Sequence, residues 1–270
     1  MIKSSAHIKE QLVKTVVRSG NGGAVWVPKS WRGEEVVVIL PQKPAASAKE
    51  RVLLAMQPYL QDIVSAGMVG SHARGDQDKH SDIDALIITS NKRIAAEMKK
   101  KNVDAICLSP ETARSAVSKY PLWYYQMARE SRPIINGAFL EELRQVRPAK
   151  SGLKKGIVEA ALSLESSKQL IDLDRLDSGT VQSASAIYSL VLRLRELYAL
   201  HCILSNEPYS SKGLKAWLLS KGITSGECKS SFEVFRQVRD GRKVSPVAIE
   251  TADKLIAILE KEIGHARGIL

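Results

Sequence analysis

The sequence predicts an α+β protein: a small N-terminal β-hairpin module, a central α/β layer with a mixed sheet, and a C-terminal helical bundle. Three observations carry this. Glycine and proline break the first 44 residues into short apolar runs. Residues 45–148 alternate apolar runs with helical periodicity, and residues 149–270 carry helical periodicity throughout.

The first module is read from "LVKTVVRSGNGGAVWVPKSWRGEEVVVILP". Val13 to Arg18 alternate loosely as a strand, and Gly20-Asn21-Gly22-Gly23 supplies a turn, because glycine and asparagine tolerate positive φ. Ala24 to Val27 form a second strand, ended by Pro28, which cannot donate to a sheet. Val36 to Leu40 form a third, and "PQKPAASAKE" is a linker. So short a unit buries too little apolar surface alone, so it should dock on the chain or pair with a second copy.

In the central layer, Lys49 to Ile63 is helical, with Val52, Leu53, Met56, Leu60 and Ile63 on one side. Ser65 to Val69 is a strand, and Gly70-Ser71 turns into a helix. Ile83 to Ile88 is a strand, Ile94 to Lys100 a basic helix, Val103 to Leu108 a strand, and Ala113 to Glu130 mainly helical before "RPIING". In the third part, helices are expected in "KKGIVEAALSLESSKQLIDL", in "VQSASAIYSLVLRLRELYALHCIL", and over Leu214 to Leu219, Ser231 to Arg239 and Val247 to Ile263.

Composition narrows the partners. The 270 residues carry a net charge of +11, which favours an anionic partner such as a nucleotide, nucleic acid or acidic protein, or simply a soluble basic surface. No stretch reaches the roughly 18 apolar residues of a membrane span, and "MIKSSAHIKEQLVK" lacks the apolar core of a signal peptide. Cys107, Cys202 and Cys228 are odd in number and far apart. Reduced, largely buried thiols in a cytoplasmic protein are therefore expected.

The chemistry concentrates in "GSHARGDQDKHSDIDALII", Gly70 to Ile88. Residues i and i+2 of a strand share a face, so Asp82 and Asp84 project side by side. Two such carboxylates repel each other and resist desolvation. A cation between them relieves both, and Mg²⁺ takes one or two carboxylates together with phosphate oxygens and water. Asp104, opening "VDAICL", is the best third carboxylate, able to hold a second ion or take a proton from an attacking hydroxyl. Gly70 lets backbone approach a phosphate, and Ser71 adds a hydroxyl donor. Arg74 reaches a phosphate or pairs with a carboxylate. The bland alternative is a surface turn with no metal.

Gly-Ser, then Arg-Gly, then Ser-Asp-Ile-Asp, then a later lone aspartate on a strand resembles the polymerase-β-like nucleotidyltransferases, closest to their minimal group. The likeness covers about Lys49 to Glu142. It implies Mg²⁺-dependent transfer (two ions, with Mn²⁺ an alternative) of a nucleoside monophosphate from a nucleoside triphosphate such as ATP, with release of pyrophosphate. Gly70 and Ser71 then hold the triphosphate, Asp82 and Asp84 both metals, and Asp104 the catalytic metal while helping to deprotonate the acceptor. The charged spacer "DQDKH" departs from the pattern; Asp76 and Asp78 are read as solvated loop residues.

The flanks carry further resemblances. "Gly-Asn-Gly-Gly", an apolar strand and "Val-Pro-Lys" resemble the swapped-hairpin units of AbrB and MazE type. That likeness implies a homodimer, with DNA contacts from Lys14, Arg18, Lys29 and Arg32 or a solvated face there. The C-terminal bundle resembles HEPN-like helical domains, whose ribonuclease motif "RELYALH" formally fits from Arg195 to His201. A six-residue step on an unbroken helix leaves the two side chains about 120° apart, so they do not converge. The alternatives to a transferase are thus a DNA-binding, antitoxin-like regulator retaining the fold, and a HEPN-type ribonuclease.

Overall fold

The computed structural model describes residues 12, 14–36, 38, 46–77, 81–177 and 179–270. The chain divides into two compact units, Met1–Ala45 and Ala46–Leu270. In the first, β1 (Val17–Ser19) pairs antiparallel with β2 (Gly22–Ala24), Ser19 opposite Gly22, around Gly20 at φ +57° and Asn21. The hairpin is shorter than expected. Val25 to Val27 leave the ladder and a 3₁₀ turn follows at Lys29–Trp31. Of the third expected strand, Val36 and Val38 are not strand, and its other residues, like most of the linker, lie outside the described ones.

The larger unit opens with α1 (Ala48–Met56), started by a reciprocal cap between Ser47 and Glu50. Pro58 ends it earlier than the apolar spacing suggests: Gln57–Asp62 is 3₁₀, and Ile63 opens β3 (Ile63–Val69) instead of closing the helix. Next come α2 (Gly70–Arg74), β4 (Asp84–Thr89), α3 (Arg93–Lys100), β5 (Asp104–Leu108), α4 (Pro110–Lys119), α5 (Tyr124–Glu130), β6 (Arg132–Ile135) and α6 (Gly137–Gln145). The four-stranded sheet has the order β5-β4-β3-β6; β4 runs parallel to β5, and β3 antiparallel to both β4 and β6. The "RPIING" stretch thus supplies an edge strand, a position that tolerates Pro133.

Successive residues of β4 face opposite layers. Ala85 and Ile87 pack with Val52, Met56, Ile94 and Met98 of α1 and α3. Leu86 and Ile88 pack with Val117, Leu140 and Leu143 of α4 and α6. Burial on both faces explains why the strand reads as one continuous apolar run.

The helical part consists of α7 (Lys150–Asp177), α8 (Ala184–Leu204), α9 (Ser211–Ser220), α10 (Ser225–Arg239) and α11 (Ile249–Ile269) around a separate core. A two-stranded pair, β7 (Thr180–Val181) with β8 (Val247–Ala248), was not legible in the sequence. Cys202 and Cys228 are buried free thiols and Cys107 is half-buried. Among the described residues no helix is long and apolar enough to cross a membrane.

The start of α10 matters because this helix delivers cations to the site described next. Thr224 accepts from the Glu227 amide, and Glu227 accepts from the Thr224 amide and from Lys254 Nζ. The Lys254 bond and then the Thr224 bonds draw the Glu227 carboxyl down to about 2. Thr224→Ala should cost about 1 kcal/mol of stability in denaturant unfolding. Glu227→Gln should cost stability at neutral pH, where wild-type Glu227 is ionised. Because the carboxyl is depressed in the fold, that difference is full above about pH 4.5 and closes as pH falls toward 2.

Candidate active site

Strand direction assembles the site. β3 ends at Val69 and β4, running back beside it, begins at Asp84, so Val69 lies opposite Asp84. β5 runs parallel to β4, and Asp104 falls opposite Asp84 in register. Gly70, Ser71, Asp84 and Asp104 therefore meet at one end of the sheet. Asp82 lies two residues before the strand position of Asp84, with Ile83 buried between them. All five line a cleft of about 1040 Å³.

Gly70 has φ +69°, and a Cβ there would collide with the Asp84 carboxylate. A side chain is excluded both by conformation and by the neighbour. The Gly70 amide, expected to face phosphate, donates to Glu130 Oε1 at 2.8 Å. Arg74 is likewise engaged: its Nη1 donates to Glu130 Oε2 at 2.7 Å, its Nε to Asp76 Oδ2 at 3.3 Å, and its guanidinium lies 5.3 Å from the Tyr209 ring centre. Of the two roles left open for Arg74, carboxylate pairing is the one seen. Asp76 is not a solvated loop residue either. It is largely buried, and Oδ2 accepts the Ser211 amide at 2.8 Å, tying the turn after α2 to the start of α9. Asp78 lies outside the described residues.

The carboxylates differ in surroundings. Burial first, then the negative charge of Asp104, Asp82 and Glu130, pushes the Asp84 carboxyl up to about 6, and Arg239 works against them. The Asp82 side chain is 55 % exposed, and Arg239 Nη2 of α10 lies 3.5 Å from its Oδ2. Asp104 is exposed at the mouth of edge strand β5. Among the described residues no group of three or more His, Cys, Asp and Glu is gathered closely enough to form a ready metal cluster. The donor chemistry still fits a hard divalent cation. Mg²⁺ is usually held by one or two carboxylates plus substrate phosphates, not by an all-protein cage. The mutual repulsion at Asp84 is what such a cation relieves.

Other residues reach this cleft without a warning in the sequence. Glu130 is brought there only by the packing of α5 on α2, and no motif marks it. Arg239 ends the helix expected from Ser231, but nothing in the sequence marks its contact with Asp82. Trp123 also lines the cleft, its Nε1 donating to Glu196 at 3.0 Å. Lys14, Arg18, Lys29 and Arg32 all lie exposed in the N-terminal unit. Arg195 and His201 sit on the unbroken α8; Arg195 lies over the Phe235 ring and His201 beside Tyr198.

A mixed sheet with carboxylates at its strand ends, facing a cleft rimmed by arginine and lysine, forms a site suited to a phosphate-bearing substrate and a cation. Residues 49–157 match the family model of the nucleotidyltransferase domain, a match that spans the glycine turn, all three aspartates and Glu130. It supports nucleotidyl transfer in general as the activity. No curated protein matches the chain at a significant level.

Proposed function

We propose that this protein is a Mg²⁺-dependent nucleotidyltransferase acting on a nucleoside triphosphate, with ATP the first to test. The observation that carries the reading is the register that sets Asp84 opposite Asp104, beside Gly70, within the matched segment. Asp82 and Asp84, with Asp104, are the residues that would hold the metal. When bound, the metal neutralises the triphosphate and polarises the α-phosphate. Ser71 offers its hydroxyl to a phosphate oxygen. Arg239, 3.5 Å from Asp82 on the cleft wall, would meet the charge of the departing pyrophosphate. Asp104, exposed at the mouth of the cleft, is placed to accept the proton of the attacking hydroxyl. Glu130 keeps Gly70 and Arg74 in place and touches no substrate in this scheme.

Incubation with each α-labelled nucleoside triphosphate, with Mg²⁺ or with chelator, tests the reading. Label transferred, or pyrophosphate released, only with Mg²⁺ is the expected result. Absence of both nucleotide binding and pyrophosphate release in Mg²⁺ and in Mn²⁺ would overturn it.

The N-terminal unit suggests a dimer. Trp26 is 73 % exposed, and Val16 and Val38 are exposed as well, in a unit too small for its own core. Light scattering should find the full chain as a homodimer and residues 46–270 as a monomer. A monomeric full chain at micromolar concentration would exclude pairing through this unit. Its four exposed basic residues are proposed as phosphate contacts, worth testing separately from the cleft.

A further inference from the structure

Helix α10 lies outside the matched segment, yet it forms a wall of the cleft. Lys229, Phe232, Arg236 and Arg239 recur along it at steps of three, four and three residues, which places them in one stripe. All four line the cleft, and Lys229, Arg236 and Arg239 are exposed while Phe232 is half-buried. The stripe begins at the aspartates, where Arg239 meets Asp82, and runs away from them. Ten residues of helix rise about 15 Å. That is about four steps of a nucleic-acid strand, at about 3.4 Å each, and extends beyond the one phosphate group in reaction.

Aromatic rings accompany the charges. Trp123 is 53 % exposed in the same cleft, although its Nε1 is anchored. The anchor is Glu196, a buried carboxylate that also accepts from Arg193 at 2.7 Å. A buried charge thus holds an open ring in a set orientation, an arrangement that core packing does not require. Lys215 of α9 adds another exposed cation to the lining. Cations that track a backbone, with fixed aromatic faces among them, are what binding of a single strand without sequence preference uses.

We propose that the acceptor is a single-stranded nucleic acid, its backbone lying along α10 and its bases against Phe232 and Trp123, with a terminal hydroxyl presented to the aspartates. The proposal rests on the transferase reading above for the reaction, and on the stripe for the strand. In the reaction the terminal hydroxyl oxygen bonds to the α-phosphorus, and the bond from that phosphorus to the oxygen bridging to the β-phosphate breaks. Pyrophosphate leaves with the bonding electrons, and the hydroxyl proton passes to Asp104. The strand is longer by one nucleotide.

The test uses the full chain and labelled RNA and DNA oligonucleotides, single-stranded and duplex, followed by fluorescence anisotropy over a series of salt concentrations. Single strands should bind more tightly than duplexes of the same length. The joint substitution Lys215→Ala and Lys229→Ala should flatten the log–log salt dependence by about 1.4, two phosphate contacts at about 0.7 each. Trp123→Ala should weaken single strands by about 10-fold, within the usual range for loss of one base stack. Salt dependence and affinity unchanged in both variants would overturn the proposal, as would label transferred to protein and not to the strand. Calorimetry of ATP with Mg²⁺ on the unaltered protein separates the two readings. Strand binding that responds to these variants without nucleotide binding keeps the strand site and removes the transferase. Nucleotide binding without a strand response keeps the transferase and removes the strand site.

Discussion

Asp84→Asn is expected to abolish Mg²⁺-dependent transfer and, in the same molecule, to raise stability at neutral pH. The two effects share a cause. Asp84 is held among Asp104, Asp82 and Glu130, partly out of water, so its charge is unwelcome until a cation arrives. Its carboxyl ionises at about 6 in the fold, against about 3.9 in the unfolded chain. Folding therefore favours the neutral form. Below about pH 4 the carboxyl is neutral in both states and costs nothing; the cost grows between about 4 and 6 and is complete above. The amide removes it, so above pH 6 the metal-free variant should be more stable by about 1–3 kcal/mol, a two-unit shift discounted for partial exposure. On the proposed reading, loss of a group that holds the cation removes several kcal/mol of transition-state stabilisation, or about 10³-fold or more in rate. Thermal melts at pH 4 and pH 8, with turnover, check both. A variant that retains turnover, or melts lower than the parent at pH 8, would refute this account. Mg²⁺ with nucleotide should stabilise the parent and leave the variant unmoved.

Gly70→Ala should damage activity out of proportion to stability. The backbone at φ +69° costs an alanine about 1–2 kcal/mol, and the new methyl meets the Asp84 carboxylate. The carboxylate is the end of a side chain and gives way, so the fold survives at a modest cost. What gives way is the group proposed to receive the cation, and displacement by about 1 Å can cost about 10²-fold. A melting point lowered by a few degrees with turnover reduced at least that much is expected. Unimpaired turnover would show that the close approach of Gly70 to Asp84 has no bearing on the chemistry.

The sequence by itself determined the parts that depend on local pattern. β4 was legible because burial on both faces demands an unbroken apolar run. Gly70 was legible because a glycine lets backbone approach a phosphate, and Asp82 and Asp84 through the two-residue period of a strand, although the strand itself begins only at Asp84. The helices from α7 onward followed from their period, although their ends shifted by several residues where caps and turns decide. What failed locally failed where a neighbour overrules pattern. The apolar spacing of α1 continues through Ile63, but Pro58 stops the helix and Ile63 joins the sheet. Only the tertiary structure could set Asp104 opposite Asp84, since strand register is made between segments far apart in sequence. It alone placed Glu130 on the Gly70 amide, enclosed Arg74 and Asp76, and brought Arg239 to Asp82. A charged side chain carries no local record of its partner: its residue type makes pairing possible, and the packing of distant helices decides which carboxylate it meets.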